Sequence, residues 1–356
     1  MLALLASSLL SSIFAQNKGV AVREFYMVFL GGALFYWLIT RMRWPGGRGF
    51  TPMPLLNGFL AGMVAVSLIA LWQLATGEGR IDVEGVWRVR ALYGSPNNLA
   101  LVLDRAIPLA LALALFGRPR PVWQVAWHWL ATVVMALACV ATFSKGALLL
   151  GLPVSLALVL IGGAWRSRRR WPLWLLGGVA LAGVLGLLAL FRTQRFADLL
   201  NFRAGTSFVR LKLWRGAWNM ALDHPLLGVG PDNFLYAYRT RYVLPSAWEE
   251  LGLSHPHNLV LDLWTRLGLL GVLAGAWALI AGWLRGWRLF RTGAPEVWPI
   301  ALGLLAALAA TLTHGLIDNS LFLLDLMGVF MMTLGIFQAS GDRGQETGDR
   351  SRDPDP

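Results

Sequence analysis

The chain has little charge and almost no cysteine. Of its 356 residues only 14% are Asp, Glu, Lys or Arg, while 56% are hydrophobic; soluble domains carry about 25% charged residues. With a mean hydropathy of +0.58, a water-soluble globular enzyme is excluded and an integral membrane protein expected. The single cysteine, Cys139, lies inside an apolar run, which rules out an internal disulfide and a cysteine-based metal centre. Acidic residues are scarce, 19 against 31 basic ones, for a net charge of +12. In a soluble protein that excess would point to nucleic acid. Here most of the arginines flank apolar runs, where anionic lipid and membrane topology account for them, and no nucleic-acid partner is expected. The opening run, Met1 to Ala15, lacks a positive n-region and a clean small-residue cleavage site, so it reads as a membrane segment rather than a signal peptide, though short for a hydrocarbon core of about 30 Å.

What is present is apolar sequence in lengths that span a bilayer. After the first run, such segments occur near 24–40, 54–76, 98–117, 121–142, 145–163, 172–191, 257–284, 297–316 and 319–338, ten in all, each bounded by Pro, Gly or charge. The expectation is an all-α polytopic membrane protein of about ten transmembrane helices. Twelve arginines (41, 43, 48, 118, 120, 166, 168, 169, 170, 285, 288, 291) occupy alternate connections, against six cations (Lys18, Arg23, Arg80, Arg88, Arg90, Lys145) on the other short ones. The positive-inside rule then puts both termini in the cytoplasm. The chain divides into helices 1–7 over 1–191, a large external, periplasmic loop over 192–256, helices 8–10 over 257–338, and a cytoplasmic tail, 339–356, whose Gly, Asp, Arg and Pro read as disordered.

The external loop is the one long polar stretch, and function is sought there. It carries Arg192, Arg195, Arg203, Arg210, Lys212, Arg215, Arg239 and Arg241. These cations could form a solvated surface, or grip a phosphorylated lipid headgroup, since a guanidinium fork matches phosphate oxygens. Within the loop, Leu211, Trp214, Ala217, Trp218, Ala221 and Leu222 recur at helical spacing opposite Lys212, Arg215 and Asn219, the pattern of an interfacial amphipathic helix. Arg210 falls beside Trp214 and Ala217 rather than with the other cations; a guanidinium on a buried face needs an anionic partner. The helix should end before Pro225. Gly228 and Gly230 lack phosphate-loop spacing, and turn chemistry accounts for them.

Ser254-His255-Pro256-His257-Asn258 closes the loop and runs into a membrane helix bearing Asp262 and Arg266. Asn258, Asp262 and Arg266 form an i, i+4, i+8 polar stripe. Ionisable groups in a membrane helix mark function by default, although Asp262 and Arg266 also suit a structural i, i+4 pair. The two histidines have no third metal ligand nearby in sequence, so no metal is expected. A histidine, with an ordinary pKa near ~6.5, suits general-base work at neutral pH.

These residues resemble the O-antigen ligase and O-antigen polymerase family of bacterial membrane glycosyltransferases. The resemblance rests on Arg210-x3-Trp214-x2-Ala217-x5-Asp223-His224-Pro225-Leu226-x-Gly228-x-Gly230-x2-Asn233-Phe234, then His255-x-His257-Asn258, Asp262 and Gly268-x2-Gly271. Gly94-Ser95-Pro96-Asn97, Ser144-Lys145-Gly146 and His314-Gly315-x2-Asp318-Asn319 extend it in the family's order. The family usually has about twelve helices, and commonly Arg where Lys145 stands and Gly where Asp232 stands. The resemblance implies transfer of a glycan from an undecaprenyl-diphosphate donor to a glycan, lipid or protein acceptor hydroxyl at the external face of the bacterial inner membrane, with no nucleotide sugar, metal or other cofactor. In that reading transfer is inverting: His257 takes the acceptor proton, Asn258 or Asp262 orients it, and Arg210, Arg192 and Arg203, with Lys145 and Arg88, hold the diphosphate. A polymerase of the same family shares the pattern. A non-enzymatic carrier or flippase for a lipid-linked anionic sugar would need the same arginines but no base; inverted repeats and paired interrupted helices would favour it, and the sequence shows no clear pair.

Overall fold

The computed structural model describes residues 1–42, 51–83, 85–118, 121–192, 196, 205–245, 252–319 and 321–349. Among them, seven helices are long and apolar enough to cross a membrane: α2 (Lys18–Arg41), α3 (Met53–Thr76), α4 (Pro96–Phe116), α5 (Val122–Ala141), α6 (Ala147–Ser167), α7 (Trp171–Leu190) and α10 (Leu259–Thr292). Shorter apolar helices are α1 (Leu2–Phe14), α11 (Trp298–His314) and α12 (Leu324–Asp349), the last apolar to Ser340. The loop contributes α8 (Gly205–Asp223) and α9 (Phe234–Ala237), and a hairpin, β1 (Ile81–Val83) with β2 (Val86–Arg88), projects between α3 and α4. The ten apolar segments read from the sequence each correspond to a helix. α12 continues to Asp349, past Gly341 and over the first residues of the tail.

Local signals set the helix starts. The Ser95 hydroxyl accepts from Asn98 N at 3.2 Å, with Pro96 in the first turn of α4. Asn258 caps α10 by accepting from Val260 N at 3.1 Å and Leu261 N at 3.0 Å. α4 is buried almost throughout and packs on α11. There a Cβ at Gly303 would come within 2.8 Å of Leu109 Cα, a backbone approach that only small residues allow. Deep in this pair, Asp104 Oδ2 meets His314 Nδ1 at 2.6 Å, and Arg105 Nε donates to Thr311 Oγ1 at 2.8 Å.

α10 is broken at Gly268, whose φ of 68° and ψ of −169° are not helical. The break strands backbone groups, and the loop supplies their partners. Val229 N donates to Thr265 O at 2.7 Å and Gly230 N to Arg266 O at 3.2 Å, while Leu269 N donates to Pro225 O at 2.8 Å. Ser11 Oγ of α1 also donates to Arg266 O, at 2.7 Å. A side chain at Gly268 would collide with the Leu226 carbonyl, which explains glycine there. The break therefore serves to dock the Pro225–Gly230 turn into the helix, satisfying the polar groups that lipid could not. Just above it, Arg266 bridges two buried carboxylates: Nε to Asp262 Oδ1 at 2.6 Å, and Nη1 to Glu24 Oε1 at 2.7 Å. The loop thus stands on the membrane helices through these backbone bonds, while the buried charge triad ties α10 to α2.

Candidate active site

α8 packs through Leu213, Gly216, Ala217, Met220 and Ala221, all buried, against Phe234, Ala237, Tyr238 and Tyr242. Ala217 and Ala221 belong to the apolar face read from the sequence. Leu211, Trp218 and Leu222 point outward and are exposed, because the loop builds its own small core and claims the adjoining stripe. Arg210 keeps register with Leu213, Ala217 and Met220 and is half-buried, whereas Arg215 is exposed and Lys212 Nζ lies over the Phe208 ring at 5.2 Å. One turn beyond Arg210, about 6 Å along the axis, Trp214 Nε1 donates to His257 O at 3.4 Å. Arg210 is therefore held on the flank of α8 that meets the His257 segment.

His257 has a φ of 50°, left-handed for a residue with a Cβ, a conformation that costs about 1 kcal/mol or more and persists where the surroundings impose it. Its Nδ1 lies 2.7 Å from Asp318 Oδ1, and His255 Nε2 approaches the same nitrogen at 3.2 Å. Asp318 is 3% exposed and His257 21%, so the carboxylate is enclosed and the imidazole retains an open side. Asn97 Nδ2 donates to Asp318 Oδ2 at 3.0 Å, and Asn319 N to Oδ1 at 2.9 Å. Asn97 Oδ1 in turn accepts from Arg88 Nη2 at 2.6 Å, and Arg88 Nε donates to Thr142 O at 2.6 Å. Burial works against ionisation of Asp318, but the two histidines beside it and their hydrogen bonds hold its carboxyl well below the usual carboxylate range. Burial, and then the neighbouring His257, lower the pKa of His255.

The structure distributes the sequence-predicted residues unevenly. His257 is at the centre. Asn258 is committed to capping α10, and its Nδ2 donates to Leu316 O at 3.0 Å. Asp262 is buried against Arg266, a turn and more below His257, and the carboxylate beside the histidine is Asp318. Arg88 is buried and holds Asn97. Lys145 is buried in the turn following Thr142, and Arg192 is exposed after the end of α7. Arg203 lies outside the described residues. Asp318, Asn97 and their connection were missed by role. Their signal was the Asn97 and Asp318-Asn319 positions of the resemblance, separated in sequence from His257 by other helices. Asp318 also answers the missing third ligand for the histidine pair.

Residues 130–276 match the family model described as O-antigen ligase. That segment is similar to the O-antigen ligase family. The O-antigen ligase match runs from within α5 through the loop to just past the break in α10, and includes Arg210, His257, Asn258 and Asp262. No curated protein matches the chain. The O-antigen ligase segment and the apolar helices together support a bacterial membrane glycosyltransferase of the ligase or polymerase type, acting on lipid-linked glycans.

Proposed function

We propose that the protein transfers a glycan from an undecaprenyl-diphosphate donor to an acceptor hydroxyl at the external membrane face, with His257 as the base. The observation that carries this is the 2.7 Å contact between His257 Nδ1 and buried Asp318 Oδ1. A carboxylate at Nδ1 fixes the tautomer and leaves Nε2 to take a proton, the geometry of a general base with its orienting acid. The acceptor oxygen attacks the anomeric carbon as Nε2 removes its proton. The bond from that carbon to the diphosphate breaks with inversion, and its electron pair leaves on the polyprenyl diphosphate. Arg210, held beside the His257 segment, neutralises that charge, with Arg192 and Arg203 as further cations. The orienting role expected of Asn258 or Asp262 passes to Asp318. Arg88 acts through Asn97 rather than on phosphate.

The interrupted helix does not favour a carrier. Two of its freed carbonyls, Thr265 O and Arg266 O, are taken by the Pro225–Gly230 turn and Ser11 rather than left to coordinate an ion. The test is transfer from purified lipid-linked donor to acceptor in detergent with chelator present. His257→Ala should lose about 10²- to 10⁴-fold in turnover with donor binding retained, whereas His224→Ala, in an exposed turn, should stay near wild type. Near-native turnover of His257→Ala would remove the assignment.

A further inference from the structure

Three ligand atoms converge, two from neighbouring histidines and one from a carboxylate 61 residues beyond His257: His255 Nε2, His257 Nδ1 and Asp318 Oδ1. Their separations are 3.2 Å between the nitrogens, 2.7 Å from His257 to Asp318 and 3.6 Å from His255 to Asp318. A tetrahedral zinc ion with bonds of about 2.0–2.1 Å holds its ligands roughly 3.3–3.4 Å apart. Two of the three edges already lie within about 0.3 Å of that spacing. The third is a hydrogen bond, short because a proton bridges it, and it opens by about 0.6 Å when a cation takes the proton's place.

The surroundings carry a second, independent indication. Metal-ligating histidines and carboxylates characteristically have their other polar atoms engaged, and those of His255 and Asp318 are engaged here. Ser254 Oγ lies 3.1 Å from His255 Nδ1, and Asn97 Nδ2 donates to Asp318 Oδ2 at 3.0 Å. The two rings meet edge-on, with centroids 4.2 Å apart, so that both present a nitrogen to the same carboxylate oxygen. Two imidazole nitrogens and one carboxylate oxygen suit a borderline ion such as Zn²⁺ or Co²⁺ over Mg²⁺ or Ca²⁺, and three protein ligands leave the fourth position open.

We propose that His255, His257 and Asp318 bind one Zn²⁺-class ion, and that its occupancy inhibits transfer by breaking the bond between His257 and Asp318. The binding stands on this geometry alone; the inhibition rests on the catalytic reading of His257.

The experiment uses the full chain in detergent, stripped with chelator and then dialysed to equilibrium against Zn²⁺, with Co²⁺ as spectroscopic probe. One ion per chain is expected, with the intense visible bands of tetrahedral Co²⁺. His255→Ala and Asp318→Asn should each weaken uptake by more than about 10-fold, and Ser254→Ala by about 10-fold. Wild-type protein gives a second readout independent of the variants: Zn²⁺ should protect His255 and His257, but not His224, from carbethoxylation as read by peptide mass spectrometry. Absence of saturable uptake, uptake unchanged in the variants, or loss of protection at His255 and His257 would overturn the site. Zn²⁺ that binds there without slowing transfer leaves the site standing and sinks the catalytic reading.

Discussion

Asp318→Asn is the substitution on which the catalytic reading turns, because the surrounding hydrogen bonds run in one direction. Arg88 can only donate, which fixes Asn97 with its oxygen toward Arg88 and its Nδ2 toward Asp318. Oδ2 of residue 318 must therefore accept, and Oδ1 must accept from Asn319 N as well as from His257. An asparagine has one oxygen. With its amide nitrogen toward Asn97 it faces another donor; turned the other way, the nitrogen faces Asn319 N and forces the proton of His257 onto Nε2, the atom that must accept. Losing a charge-assisted hydrogen bond of about 1.5–3 kcal/mol is roughly 10- to 100-fold at about 1.4 kcal/mol per decade. The wrong tautomer extends the range to about 10⁴-fold, as in hydrolase triads. Turnover should thus fall about 10- to 10⁴-fold with KM for donor little changed. The assay is single-turnover transfer from purified donor at matched, monodisperse protein. A variant within a few-fold of wild type would show that Asp318 does not orient the base.

Arg210→Lys should impair transfer substantially because lysine keeps the charge without the fork, while Lys212→Ala and Arg215→Ala should retain most activity; equal losses in all three, at matched expression, would refute a phosphate role for Arg210. Arg266→Met strands Asp262 and Glu24 in a buried site and should destabilise the protein by about 3–5 kcal/mol, seen as a lower thermal midpoint in detergent, with much of the loss restored by adding Glu24→Gln and Asp262→Asn; an unchanged midpoint in the single variant would refute it. Burial and the hydrogen bond to Asp223 push the Tyr242 phenol up to about 12. Because the folded value is raised, its contribution is full below about 10 and is lost as pH rises through about 12; Tyr242→Phe should abolish that alkaline loss of stability in a pH-resolved melt, and a variant melting with the same alkaline dependence would exclude Tyr242 as its source. A cysteine at Arg215 should react with a membrane-impermeant thiol reagent in intact cells and one at Arg168 should not, and the reverse result would invert the topology.

The chain's apolar runs, their lengths and their boundary residues determined the helices, because bilayer thickness and the need to satisfy every backbone group leave a membrane segment few options. The same local logic made His257, at the mouth of α10, legible as the candidate base and Arg210 legible as an arginine on the wrong side of its helix. Tertiary structure decided the rest. The periodicity of α8 could be read, but which stripe it buries depended on Tyr238 and Phe234 arriving from the next segment. Asp262 had the spacing to serve His257, yet Arg266 claims it, and Asp318 takes that place from a loop beyond α11. Gly268 was legible as a motif position, but its use became plain only when the Pro225–Gly230 turn entered the break it makes. Spacing along one helix is a local quantity and the sequence states it, whereas the choice among several carboxylates or several helix faces is a competition between segments far apart in the chain, and only packing resolves it.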